Sequence, residues 1–528
     1  MDPHVVHSFE RFRHILKRAT IPLVPAPDIP FPQFPGGLPD LNNVQGDVLF
    51  RFPKKVENFV FFKITDVPKF KVALKEFLPT PAEEVSQFLH KISDAKGKVT
   101  TSVAPGDPPC ISKRQWQIAF SRIGINLLGV TEGTGDMRFD ANPMMYDKEF
   151  LGDHEEWDDP FQKGGLHGVI SIAACTPEEL MTWTKDAIDL FGSSTTYTTV
   201  GGKVRPGMMD GHEHFGFLDG IGQPAPRGVV APKPGQLEVD PGVVVMGYKG
   251  DPALDNPNST TPRPSWTKDG TMLVFRKLEQ DVLLFDWFRE QNLDSMKEIL
   301  RKRRDAPALD DEEVKQLFGA RLFGRFPSGA PLALCPYKDN LIIANDKFKR
   351  NDFDYVIRND PNISPYRPSE YYCPFTAHIR KSVPRTLDPF ISKAYLESGA
   401  IIRSSIPYGD EITEDERKKF DPNQPTPSPR GLLFVCYASS IDEGFIRQNI
   451  SFSLNDYFPI ASLQPVRHGQ DPILGSPDFS IDVPESRKKD PFFLTSRGGE
   501  YFFVPSVSTL KGWAELPTVM ESSVYIFV

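Results

Sequence analysis

Apolar residues along this chain fall in short runs separated by polar and proline-rich stretches. Asn58-Phe59-Val60-Phe61-Phe62-Lys63-Ile64 reads as a buried strand, because a near-continuous apolar run of this length suits burial on both faces. Pro68 to Leu78 predicts a helix, with Asp66 as a plausible N-cap and Pro68 suited to the first turn. Gly168-Val169-Ile170-Ser171-Ile172-Ala173-Ala174 is a second strand. Thr176-Pro177-Glu178-Glu179 then supplies an N-cap, a proline and first-turn acids for a helix through Trp183 to about Leu190. A similar set follows: a strand over Thr271–Leu278, an apolar helix over Asp281–Gln291, and strands over Gly431–Tyr437 and Tyr501–Pro505. Strand, helix and strand thus recur in each half, which predicts two α+β units with mostly antiparallel sheets and no short-period repeat. The stretches 250–270, 420–430 and 466–490 read as loops. Seven prolines between residues 19 and 39 deny both helix and sheet ladder, so residues 1–40 are expected to form an extended strap or tail.

Composition narrows the class. A chain of 528 residues with 39% apolar and 25% charged residues can bury a large core, which excludes collagen, coiled coil and wholesale disorder. A net charge of −9 makes electrostatic capture of nucleic acid or anionic lipid unfavourable. No run approaches the ~20 apolar residues that span a bilayer. Met1 to Arg18 lacks the apolar core of a secretory signal, so the expectation is an intracellular protein or one whose leader was removed ahead of this numbering. Cys110, Cys175, Cys335, Cys373 and Cys436 form no Cys-x-x-Cys pair, and their apolar contexts predict buried small hydrophobes.

Three segments can carry chemistry. In His212-Glu213-His214-Phe215-Gly216-Phe217-Leu218-Asp219-Gly220-Ile221-Gly222-Gln223-Pro224, the glycines let backbone approach a ligand and present Asp219 between apolar neighbours. Asp219 can be a general base if a nearby cation keeps it ionised; an Asx-type turn is the commoner fate of such an Asp-Gly. His212 and His214, at i and i+2, form a weak metal pair without a third ligand. In Tyr372-Cys373-Pro374-Phe375-Thr376-Ala377-His378-Ile379-Arg380-Lys381, His378 can ligate iron through one ring nitrogen while an acid holds the other; a hydrogen-bonded structural histidine is the ordinary alternative. Arg380, Lys381 and Arg385 can pair with carboxylates such as propionates or form a solvated face. In Ile401-Ile402-Arg403-Ser404-Ser405-Ile406-Pro407-Tyr408-Gly409, Arg403 either reaches into a pocket or ends a surface strand.

Together these segments resemble one family. Gly216-Phe217-Leu218-Asp219-Gly220 matches the G-x-x-D-G motif of dye-decolourising peroxidases, Ala377-His378-Ile379-Arg380-Lys381 is similar to their proximal-histidine segment, and Arg403 to Gly409 to their distal-arginine segment. Further likenesses are Leu41-Asn42-Asn43-Val44-Gln45-Gly46-Asp47-Val48-Leu49, Phe275-Arg276-Lys277-Leu278, Gly324-Arg325-Phe326-Pro327 and Gly498-Gly499-Glu500-Tyr501-Phe502-Phe503, in the right order over residues 41–528 and with a fungal flavour.

The resemblance implies an α+β fold of two ferredoxin-like domains, barrel-like, with antiparallel sheets enclosing one haem b per chain. It places a domain with the distal Asp at 41–230 and one with His378 and Arg403 at 231–528, after the extension 1–40. It makes His378 the proximal iron ligand, held by Asp471 in preference to Glu500, with Arg380 toward the cofactor. Asp219 becomes the base that moves a peroxide proton, and Arg403 the group that offsets developing negative charge. Leu432 and Phe434 would wall the distal pocket, although plain core packing predicts the same residue types. Ser405 stands where some bacterial members carry an Asn. The implied reaction reduces hydrogen peroxide and oxidises dyes, phenols and other aromatic donors in one-electron steps through a ferryl-oxo porphyrin radical, with an acidic optimum set by the carboxylate base. Bulky dyes would need surface Trp or Tyr relays, and acidic surface groups could take Mn²⁺. Neither nucleic acid nor a membrane is an expected partner. The family points to an extracellular enzyme, with a cytoplasmic one as the alternative. A non-catalytic haem carrier or sensor on the same fold is the competing function, and a haem-free scaffold a weaker one.

Overall fold

Val56–Ile64 (β1) carries Phe59, Phe61 and Phe62, all almost fully buried, and this aromatic strand organises the interior. The computed structural model describes residues 37–98, 110, 112–255, 263–356, 368–385, 387, 390–424, 429–462, 464–477 and 492–517. The proline-rich expectation up to residue 36 and parts of the three expected loops (256–262, 425–428 and 478–490) lie outside them. β1 pairs antiparallel with Gly168–Ala174 (β3) and Thr195–Lys203 (β4), and β3 pairs with Gln115–Phe120 (β2). After the short parallel pair Ala225–Pro226 (β5) and Glu238–Val239 (β6) come Thr271–Gln280 (β7), Ile402–Arg403 (β8), Ile406–Tyr408 (β9), Gly431–Ala438 (β10) and Leu494–Val504 (β11). The strands run in the order β4-β1-β3-β2-β11-β7-β10-β8, with β9 also on β10, and every pairing in this sheet is antiparallel. The first four come from residues 56–203 and the rest from 271–504; one residue pair, Phe503 with Phe120, joins the two sets.

The sheet curls until its ends meet. Gly202 on β4 lies so close to β9 that a Cβ there would come 2.5 Å from Ile406 Cγ2 and 2.8 Å from the Pro407 carbonyl, so glycine is required by the approach. Inside the curl, Phe275 of β7 meets Phe59 and Phe61 of β1 edge-on at 5.0 and 4.9 Å, and Phe161 stacks on Phe275 at 5.6 Å. Helices cover the outside. Val67–Glu76 is capped by Asp66, and Pro177–Phe191 by Thr176 with Pro177 at its start, as their sequences predict. Helix Val507–Glu515 packs beside the first of these.

Two expectations change. β11 begins at Leu494, well before Tyr501, because a bulge between Ser496 and Gly499 lets a glycine-containing segment stay in the ladder. Cys110 and Cys175 are a disulfide rather than two packed thiols, bridging residues 65 apart, while Cys335, Cys373 and Cys436 are buried thiols. No helix among the described residues is long and apolar enough to cross a membrane.

Candidate active site

The Asp219 segment is a loop fixed from within. The buried Glu213 carboxylate accepts the backbone N–H of Phe215 and of Phe217, both at 2.8 Å, and the Gln280 amide at 2.5 Å. Phe215 and Phe217 anchor in a cluster with Phe285 and Phe323. Asp219 donates its backbone N–H to the Gly211 carbonyl at 3.0 Å and accepts the Gly220 N–H on its own Oδ1 at 2.5 Å, an Asx-type arrangement that still leaves the carboxylate facing inward. Gly220 has φ +77°, and a Cβ there would come 2.5 Å from Arg51 Nη1. The two loop histidines are structural: His212 Nδ1 lies 3.1 Å from the Asp210 carbonyl and His214 Nε2 2.8 Å from that of Tyr408. Among the described residues no group of three His, Cys, Asp or Glu is placed to hold a metal ion.

Arg403 sits on β8 and aims its guanidinium at this loop, with Nη1 3.3 Å from Asp219 Oδ1. Gln223, four residues beyond Asp219, clamps the Arg403 backbone on both sides: its Oε1 accepts the Arg403 N–H at 3.0 Å and its Nε2 donates to the Arg403 carbonyl at 2.7 Å. Arg403 is directly opposite Cys436 on β10. Side chains alternate along a strand, so Leu432 and Phe434 share that face with Arg403, while Leu433 and Val435 turn into the core. Ser405 Oγ accepts the Val435 N–H at 3.3 Å, and Ser404 Oγ donates to the buried Asp47 at 2.8 Å.

His378 begins the short helix His378–Ser382. Its Nδ1 lies 2.7 Å from Asp471 Oδ2, while Asp471 Oδ1 accepts the Ile473 N–H at 2.8 Å. Lys381, fully buried one turn on, donates to the carbonyls of Asn455 and Gly469 at 2.7 Å and of Phe458, which fixes the segment delivering Asp471. Glu500 lies elsewhere, accepting the Met144 and Tyr501 N–H groups. Arg380 does not reach the cofactor side as expected from its neighbour His378. It is fully buried, donates to the carbonyls of Ser369 (2.7 Å) and Cys373, and is held between the rings of Tyr355 and Phe375, so one helical step turns it into the protein. Arg385 likewise binds the carbonyls of Gly235, Asn351 and Phe353.

These elements converge. The side chains of His378, Asp219 and Arg403 keep 23, 31 and 26% of their surface accessible although all three elements lie deep in the protein, as groups lining an internal space do. The charges of Arg403 and Asp219 both act on His378. Burial works to raise the Asp219 carboxyl, but Arg403, the Gly220 N–H, Arg51 and His378 outweigh it and hold the group below the usual carboxylate range. Burial opposes the charged form of His378, and the Asp471 carboxylate more than offsets that. Arg51 and Gln223 were not legible in the sequence. Arg51 lies just beyond the Leu41–Leu49 likeness and meets Asp219 only in the folded chain, where burial lowers its own pKa.

Burial also pushes Glu57, Glu213 and Glu500 up to about 7 and His214 down to about 4. Each raised carboxyl keeps its proton in the fold where the unfolded chain has lost it. Its stabilisation is therefore complete below about pH 4.5 and is lost as pH rises through about 7. His214 acts oppositely between about 4 and 6.5. Burial also lowers His167 and His468 and raises Asp136, and the carboxyls outweigh the histidines, so the thermal midpoint is expected to be higher at pH 5 than at pH 8 by roughly several degrees in a melt followed by circular dichroism. Equal midpoints would show that these carboxyls ionise inside the fold.

Known proteins share this organisation. Residues 43–206 match the family model described as the DyP dimeric alpha+beta barrel domain. A dye-decolorizing peroxidase of Mycena epipterygia is 35% identical over 516 residues, covering 92% of this chain and 90% of the relative. The chain belongs to the dye-decolourising peroxidase family. A structure of an ancestral D-type dye-decolourising peroxidase aligns with a TM-score of 0.76 at 37% identity, covering 90% of this chain and 99% of that one. The fungal peroxidase structure from Auricularia auricula-judae aligns at 0.74 with 30% identity, covering 90% and 99%. The family barrel accords with the curled antiparallel sheet. This dye-decolourising peroxidase is an oxidoreductase acting on hydrogen peroxide, and its family is haem-dependent. The residues present fit that cofactor: His378 has one nitrogen on a carboxylate, its Nε2 makes no hydrogen bond to a described residue, and its side chain, partly accessible, lies within reach of the charges of an acid and a guanidinium.

Proposed function

We propose that this chain binds one haem b through His378, with Asp471 orienting the imidazole and Leu432 and Phe434 walling the opposite side, and that it couples hydrogen peroxide reduction to one-electron oxidation of aromatic donors. The observation that carries the reading is the Asp219–Arg403 pair, 3.3 Å apart, whose charges act on a histidine held by Asp471. Bound haem supplies a site for peroxide and accepts and returns the oxidising equivalents. Asp219 Oδ takes the proton from the inner peroxide oxygen and delivers it to the outer one, from which water leaves. Arg403 faces the negative charge that develops as the oxygens separate, in a setting prepared before the reaction. Asp471 accepts the His378 Nδ1–H and keeps Nε2 available.

A binding protein needs neither a base nor a charge clamp opposite the ligand, so the pair favours the enzyme over a carrier. Phenols are the proposed donors, since a related dye-decolorizing peroxidase structure is a complex with 2,6-dimethoxyphenol, with dyes as larger donors. Residues 41–230 would supply Asp219, and 231–528 His378 and Arg403. The Cys110–Cys175 disulfide supports an extracellular setting, where such bonds persist. The test is an absorbance spectrum of the haem-loaded chain. One equivalent of peroxide should change the Soret band, and 2,6-dimethoxyphenol should restore it with product formation. A band that peroxide leaves unaltered, or no band after expression with ample haem, overturns the reading.

A further inference from the structure

The two guanidiniums that act on Asp219 come from segments far apart in the chain, Arg51 from the stretch ahead of β1 and Arg403 from β8. One carboxylate stands behind both. Asp47 is almost fully buried. Its Oδ1 accepts the backbone N–H of Phe52, the residue after Arg51, at 2.7 Å, and the hydroxyl of Ser404, the residue after Arg403, at 2.8 Å. Its Oδ2 accepts the Tyr437 hydroxyl at 2.6 Å. Tyr437 adjoins Cys436, the β10 residue directly opposite Arg403. The Gln117 amide donates to the Tyr437 oxygen, so the hydroxyl proton is committed to Asp47. Lys54 closes the same link from the other side: its Nζ donates to the Ser404 carbonyl at 2.9 Å and to Glu57 Oε2 at 2.5 Å. The segment delivering Asp47 is itself fixed. Gln45 donates to the Ile118 carbonyl at 3.0 Å and accepts the Ile118 N–H at 2.9 Å, and a Cβ on Gly46 would come 2.7 Å from Phe52 Cε1.

We propose that Asp47 is the positioning residue of the peroxide side: through Phe52 and Ser404 it sets the two backbones that aim Arg51 and Arg403 at Asp219, and so makes Arg51 a second charge of that site. This rests on the reading in which Asp219 and Arg403 handle peroxide. A guanidinium offsets developing charge only if it is in place before the charge appears. A misplacement of about 1 Å, caused far from the chemistry, can cost about 10²-fold in rate. A buried carboxylate with three donors suits the task, because any shift would strand a donor in the interior. Phe52 and Ser404 each directly follow one of the two arginines, so holding their N–H and hydroxyl to one oxygen holds the two arginine backbones to each other. The Asp47 charge also acts on Arg51.

The test is a double-mutant cycle on the haem-loaded enzyme at matched haem content. Asp47→Ala should lower kcat/KM for hydrogen peroxide by about 10–10², while kcat/KM for 2,6-dimethoxyphenol stays within about twofold, since the donor reacts in a separate step. Asp47→Asn keeps the oxygen that takes Phe52 and Ser404 and should recover most of the loss. Should Asp47→Ala not fold, Ser404→Ala removes a single hydroxyl. It should lower the peroxide constant about three- to tenfold in the wild-type background and by less than about 1.5-fold in Arg403→Leu, which lacks the guanidinium it acts through. In the apoprotein, the Asp219 carboxyl, followed by NMR and assigned with Asp219→Asn, should titrate at higher pH in Asp47→Ala, because Arg51 and Arg403 no longer hold it down; His378 and Glu213, the other charged groups facing it, are unaltered. Equal losses from Ser404→Ala in the wild-type and Arg403→Leu backgrounds, equal losses for peroxide and donor, or an unchanged peroxide constant in Asp47→Ala overturns the proposal. If Arg403→Leu itself reacts with peroxide as fast as wild type, it is the underlying reading of the site that fails.

Discussion

Replacing Asp219 by Asn is expected to lower kcat/KM for hydrogen peroxide by about 10²–10⁴, the range for loss of a positioned base. Arg403→Leu should cost about 10²–10³, the range for loss of one preorganised charge-stabilising group. The 3.3 Å contact makes the two act as a unit, so the double variant should fall well short of the product of the single effects. The measurement is steady-state turnover at matched haem content. Because Asp219 is held below the ordinary carboxylate range, wild-type turnover should persist to low pH and decline only as pH falls through the depressed value. Near-wild-type turnover in Asp219→Asn, with haem retained, would assign the proton transfer to another group.

His378→Ala is expected to abolish stable haem retention on gel filtration, and added imidazole should restore part of it. The variant also strands the fully buried Asp471 carboxylate, which the structure satisfies with His378 and the Ile473 N–H. Losing one partner of a buried charged group costs about 1–3 kcal/mol or more, so the apoprotein should also melt earlier. Asp471→Asn is the milder probe: it keeps the shape, weakens the pull on Nδ1–H, and should lower activity roughly 10–100-fold while raising the reduction potential. Full haem occupancy and an unaltered potential in both variants would remove His378 from the iron.

The elements that could be read from sequence are those whose local and tertiary demands agree. Gly168–Ala174 is buried on both faces and composed accordingly, and Thr176-Pro177 caps the next helix with no outside help. β2 carries no legible strand pattern, because Gln115 and Gln117 look like solvent-facing positions. Both are buried, donating to the Pro53 carbonyl and the Tyr437 hydroxyl, partners far away in the chain. β4 is illegible for the opposite reason: Thr195–Lys203 is largely exposed and has no apolar period. At the site, Asp219 stood out by its glycines and Arg403 by the apolar pair before it. Gln223 and Arg51 act through backbone and charge across the fold, and no local pattern marks such residues. Arg380 shows the converse failure, since a basic residue two positions from a candidate ligand looks available until the helix turns it inward. The disulfide partner of Cys110 could not be deduced either, because spacing does not determine connectivity.

The Gln223 clamp ties the loop that carries Asp219 to the strand that carries Arg403 by two short hydrogen bonds made entirely within the polypeptide. The base and the guanidinium are therefore registered to each other whether or not a porphyrin is present. Loading can then follow folding, and a chain produced under iron or haem starvation should accept its cofactor late, into a receptacle already shaped.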